Sequence, residues 1–197
     1  MAVLENVLQH FSGPALSALS QQLGTDENQA QSALQSALPL IVSALAQNSS
    51  QTGGASALSN ALDRDHDGSI LDDVLGFVTN SQGGSSIGMS ILKHVLGGEG
   101  EQKRSVAEQA VSQSSGLNMS QVGTLLSFLA PVVLGYLGKT KQQNGLDESG
   151  LAGLLSQEKQ AQSEQGGLIG TLTNLLDSNN DGNLMDDIGG LIGKFMK

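Results

Sequence analysis

Cysteine and tryptophan are absent from the 197 residues, and only one tyrosine and four phenylalanines occur. Without cysteine no disulfide can staple the fold, and the redox compartment is left open. With so few aromatics, the 38% hydrophobic content has to form an aliphatic core of leucine, alanine, valine and isoleucine. Basic residues are also scarce: 9 Lys and Arg stand against 19 Asp and Glu, a formal charge of −10. That balance opposes binding to a nucleic-acid backbone. Long apolar runs are missing too. The most apolar stretch, Leu125 to Gly138, is too short to span a bilayer. The first residues, Met1-Ala2-Val3-Leu4-Glu5-Asn6, have neither the basic region nor the apolar stretch of a signal peptide. The expectation is a soluble cytoplasmic protein with no transmembrane segment, with leaderless export left open. β-Branched runs are rare while Leu, Ala, Gln and Ser abound, which makes the expected fold all-α.

What the chain does have is a dense acidic segment, Asp63-Arg64-Asp65-His66-Asp67-Gly68-Ser69-Ile70-Leu71-Asp72-Asp73, and a second one, Asp177-Ser178-Asn179-Asn180-Asp181-Gly182-Asn183-Leu184-Met185-Asp186-Asp187. Oxygen-bearing side chains at positions 1, 3 and 5 followed by Gly at 6 form the front half of an EF-hand-type loop. Calcium takes six to eight oxygens at about 2.3–2.6 Å, which is why alternate side chains are needed. The back half departs: Val74 and Ile188 stand at position 12, where a bidentate Glu belongs. The expected ligands are Asp63, Asp65, Asp67, the Ser69 carbonyl and Asp73, then Asp177, Asn179, Asp181, the Asn183 carbonyl and Asp187, with Ca²⁺ as the ion. Asp72 and Asp186 are the alternative closing residues. A plain Asx-rich turn capping the next helix accounts for one or two of these acids. It does not account for five in the first loop and four in the second. Position 4, held by His66, points away from the ion in such loops, so its imidazole is expected in solvent.

Apolar residues at helical spacing mark a first helix ending near Ser12-Gly13, then a second entered at Pro14 and stopped at Gly24. Thr25 is the expected N-cap of a third, whose stripe Ala30, Ala33, Leu34, Ala37, Leu38, Ile41, Leu45 meets Pro39, where a kink or a new helix is expected. Residues 47–56 read as a loop, and 79–86 as a flexible linker. The chain then repeats: Gly24, Gln29, Leu34, Pro39 and Leu45 recur as Gly116, Gln121, Leu126, Pro131 and Leu137, each 92 residues on. The acidic loops are 114 apart, so the second copy carries about 22 extra residues within the polar segment 139–166, which has a short helix of its own at Leu151, Leu154 and Leu155. The expected organisation is a first helical repeat with its metal loop over 1–80 and a second over 87–197 with the 139–166 insertion and the second loop.

Leu62-Asp63-Arg64-Asp65-His66-Asp67-Gly68-Ser69-Ile70-Leu71-Asp72-Asp73, Ile91-Leu92-Lys93-His94-Val95-Leu96-Gly97-Gly98 and Phe128-Leu129-Ala130-Pro131-Val132-Val133 resemble the YidB-like bacterial family, a domain of unknown function. The resemblance implies a multihelical bacterial protein and no activity. Residue chemistry points the same way. His94 lies beside an apolar stripe and His10 at a helix end, and neither has a triad within reach. Ser90-Ile91-Leu92-Lys93 matches a Ser-x-x-Lys pattern without its companion motifs, and the glycine-rich stretches at 97–100, 166–170 and 189–193 lack the lysine of a phosphate loop. The function expected is therefore a non-enzymatic calcium-binding structural or interaction module, with a protein partner or self-association. The alternative is a helical scaffold or oligomerisation protein that binds through apolar helix faces, its metal incidental.

Overall fold

The computed structural model describes residues 2–80, 88–92 and 101–164, and every described element is helical. Helix α1 (Ala2–His10) buries Val3 and Val7 on one side and leads into the buried Phe11. Pro14 sits at the first turn of α2 (Pro14–Leu23), where its missing N–H is not needed. Gly24 ends α2 in the left-handed conformation at φ 66°, and the next amide, Thr25 N–H, donates to the Ser20 carbonyl at 3.0 Å.

Helix α3 (Glu27–Ser50) begins one residue later than expected. Asp26, extended at φ −83°, is its N-cap and accepts from Gln29 N–H at 2.9 Å; Thr25 instead places its hydroxyl against the Gln29 side-chain oxygen. The helix runs through Pro39 without a break, so of the kink and the new helix expected there, the new helix is not formed. An interior proline costs about 3 kcal/mol. Against that, α3 buries Ala30, Ala33, Leu34, Ala37, Leu38, Ile41, Val42 and Leu45, each fully burying a side chain, so packing outweighs propensity. The loop expected over 47–56 shrinks to residues 51–53. The helix reaches Ser50, with the Ser49 and Ser50 hydroxyls donating back to the Ala46 and Gln47 carbonyls at 2.9 and 2.8 Å. Helix α4 (Gly54–Asp65) then starts hard against α3: a Cβ on Gly54 would lie 1.8 Å from the Asn48 carbonyl oxygen. A 3-10 turn (Ser69–Asp73) and α5 (Val74–Thr79) follow.

Beyond them lie α6, described over 88–92, and α7 (Glu101–Ser115). Helix α8 (Met119–Asn144) is the centre of the bundle. Asn118 and Gln121 form a reciprocal capping box, and Pro131 sits inside the helix as Pro39 does in α3. By length and composition α8 could cross a membrane, but neighbours cover it: from Leu125 to Gly138 only Tyr136 is more than slightly exposed. Phe128 meets Phe77 edge to face at 5.8 Å. Of the polar segment 139–166, residues 139–164 are described and are mostly helical. Helix α8 continues to a left-handed Gly145, Asp147 accepts from Gly150 N–H at 2.8 Å, and α9 (Glu148–Glu164) lays the buried Leu151 and Leu155 beside α3.

One hydrophobic cluster runs from Val3 to Leu155. Two polar contacts tie its corners. Gln29 Nε2 donates to the Ser115 carbonyl at 3.3 Å, at the end of α7, and Gln121 Nε2 donates to the Leu23 carbonyl at 2.7 Å, at the end of α2.

Candidate metal loop

The first acidic loop spans the end of α4, a bend over residues 66–68 and the 3-10 turn. Helix α4 continues through Asp65, so Asp63 and Asp65 both stand on helical backbone. Residues two apart on a helix project about 200° apart around its axis, so in this arrangement the two side chains leave α4 on opposite sides. Asp63 is turned to α8, where both its oxygens receive Lys141 Nζ at 2.5 Å. The Lys141 side chain is 11% exposed and Asp63 52%, so the pair sits at the edge of the bundle rather than inside it. Asp72 faces Lys139 across 4.0 Å, with the Asp72 side chain in solvent and that of Lys139 partly covered.

The remaining oxygens are engaged locally. Asp67 accepts from Ser69 N–H at 2.9 Å, and this backbone bond is the main reason its carboxyl lies below the usual range. Gly68, at φ 95°, supplies the left-handed residue that reverses the chain, a conformation costly for any residue with a Cβ. Asp73 is the N-cap of α5, accepting from Gly76 N–H at 2.7 Å, so for this residue the helix-capping role is realised. Among the described residues, no group of three His, Cys, Asp or Glu side chains stands together as a metal set. The second loop, with Asp177, Asn179, Asp181, Asn183, Asp186 and Asp187, lies outside the described residues, as do His94 and all of the expected 79–86 linker except Thr79 and Asn80.

The loop is seated on α8 through two glycines. A Cβ on Gly138 would fall 1.8 Å from the His66 carbonyl oxygen, and one on Gly135 would fall 2.4 Å from Ile70 Cγ2. Beside the loop lies a cavity of about 200 Å³ whose lining includes Asp65, His66, Asp67, Ile70, Phe77 and Pro131. His66 is half-buried here, not in solvent as its loop position suggested. Loss of water pushes its pKa below the ordinary 6.5, and the neighbouring Asp65 and Asp67 partly offset the effect.

Sequence reasoning missed the residues that hold the loop: Gly135, Gly138, Lys139 and Lys141. Their signal is visible afterwards, as small residues three apart on one helical face followed by two of the chain's few lysines. It has meaning only once this helix is known to face the loop.

A family described as "Bacterial protein of unknown function (DUF937)" matches over residues 5–140, a span that includes the first acidic loop and ends before Lys141 and the second loop. No curated protein and no solved structure matches.

Proposed function

The chain belongs to the DUF937 family of bacterial proteins of unknown function, and from that premise we propose that it is a non-enzymatic helical interaction module, built from two copies of one unit, whose first acidic loop works as a clasp. The observation that carries the clasp is the placement of Asp63, both oxygens on Lys141, while the loop backbone rests on Gly135 and Gly138 of α8. The duplicated reading is supported by matched details 92 residues apart. Gly24 and Gly116 are both left-handed, Asp26 and Asn118 both cap through the third residue of their helix, and Pro39 and Pro131 both lie inside a long helix. The scarcity of basic residues fits a protein partner rather than nucleic acid, and a cytoplasmic setting is part of the proposal.

Calcium binding is the second reading, favoured by oxygens at alternate positions, the left-handed Gly68 and five carboxylates in eleven residues. For it, Asp63 has to leave Lys141 and the last turn of α4 has to open so that Asp63 and Asp65 reach the same side. Affinities of roughly 10⁻⁵ to 10⁻³ M would follow from the missing Glu. The first loop would bind more tightly than the second, since Asn179 is neutral where Asp65 is charged. Calorimetric titration of calcium into the full chain, beside Asp67→Ala and Asp181→Ala, decides between the readings. The clasp reading expects no calcium heat and a melting curve indifferent to chelator. Binding lost in these variants, with a rise of Tm in millimolar calcium, replaces it with the calcium reading.

A further inference from the structure

The two glutamine contacts at the corners of the bundle are one contact seen twice. Gln29 reaches the Ser115 carbonyl, and Gln121 reaches the Leu23 carbonyl. Shifting Gln29 by 92 positions gives Gln121, and shifting Ser115 back by 92 gives Leu23. The second contact is thus the first with the two halves interchanged. Each donor is the third residue of a long helix, fixed by an N-cap side chain that accepts its amide, from Asp26 at 2.9 Å and from Asn118 at 3.0 Å. Each acceptor precedes a left-handed glycine, Gly24 at φ 66° and Gly116 at φ 75°. The packing follows the same exchange, for α3 lies on α7 as α2 lies on α8, and α3 and α8 meet each other. This reciprocity is the property of a two-fold, self-complementary interface, the kind found between identical subunits.

We propose that the face each half turns to the other is a self-association surface, and that its partner outside the monomer is a second copy of this chain, bound by exchange of halves. This deepens the duplicated reading given above and rests on it. Nothing in the contact depends on the two halves sharing a chain, so two molecules can form the same pairs between them. Exchange of identical elements is a low-cost route to dimers. Within one chain the halves meet at an effective concentration on the order of millimolar, so the monomer dominates in dilute solution and the exchanged dimer forms when unfolded chains refold near or above that concentration.

Asp63 and Lys141 provide a native reporter, since one lies in each half and a carbodiimide joins a carboxylate to an amine in direct contact. A mixture of ¹⁵N-labelled and unlabelled full-length chain is denatured, refolded at micromolar or at near-millimolar concentration, separated by size, and cross-linked. The expected result is a dimer fraction that grows with refolding concentration and yields Asp63–Lys141 peptides mixed in isotope, while the monomer yields only unmixed ones. A chain that stays monomeric at every refolding concentration overturns the proposal, as does a dimer without mixed Asp63–Lys141 peptides. The duplicated reading fails separately: a crystal structure of the monomer in which residues 23–46 do not superpose on 115–138 removes it, whatever the cross-links show.

Discussion

Replacing Gly138 by alanine adds one methyl group where α8 meets the backbone of the acidic loop. In an open helical position the change stabilises by about 1 kcal/mol, because alanine has the higher helix propensity. Here the new carbon would lie 1.8 Å from the His66 carbonyl oxygen. Ordinary carbon–oxygen contacts are about 3.3 Å, so the loop must retreat by about 1.5 Å. The obstructing atom is backbone, flanked by the Asp63–Lys141 pair, and no rotamer change relieves it. Overpacking of this kind costs about 1–3 kcal/mol. Set against the propensity gain, this leaves a net loss of up to about 2 kcal/mol, with Tm lower by about 2–4 °C for each kcal/mol. Two controls bracket it. Gly153 on α9 has nothing within 4 Å of an added Cβ, so Gly153→Ala should raise Tm. At Gly135 the obstacle is Ile70 Cγ2, a side-chain methyl rather than backbone, so Gly135→Ala should fall between the two. Far-UV circular dichroism of all three variants through thermal and urea unfolding gives the order. If Gly138→Ala stabilises as much as Gly153→Ala, the loop does not rest on α8 and the clasp is wrong.

Asp73→Ala should cost about 1 kcal/mol by leaving Gly76 N–H without its cap, and Asp73→Asn far less, as urea unfolding will show. Lys141→Met and Asp63→Asn should each lower stability by up to about 1 kcal/mol, less in high salt, and the double variant by no more than either alone; a double-mutant cycle at two salt concentrations checks this. His66 has a folded pKa below 6.5, so the unfolded chain binds the proton more readily. Its contribution is intact above pH 6.5 and declines as pH falls from there towards the folded pKa; Tm measured across this range should fall less in His66→Gln.

The helices were legible because aliphatic residues recur at three- and four-residue spacing, and the stops at Gly24 and the start at Pro14 were legible because those residues allow little else. Local signals failed where tertiary burial decided. Pro39 and Pro131 are tolerated inside helices that bury almost everything around them, and the serines at 49 and 50 read as loop while their hydroxyls back-bond to helical carbonyls. At the acidic loop the sequence showed the carboxylates but not their counter-ions. Lys141 is 78 residues from Asp63 and carries no local mark of the pairing. The alternation of Asp63 and Asp65 suggested a shared centre, yet extension of α4 to Asp65 turns alternation into opposition.

The contact between α1 and α8 has a spectroscopic consequence. Asn6 Nδ2 donates to Tyr136 Oη at 3.1 Å, and Tyr136 is the chain's one tyrosine in the absence of tryptophan. Near-ultraviolet emission from this protein therefore comes from a single phenol at the seam between the first helix and the central one. Its intensity and lifetime report the docking of α1 directly, with no label and no background from the rest of the molecule.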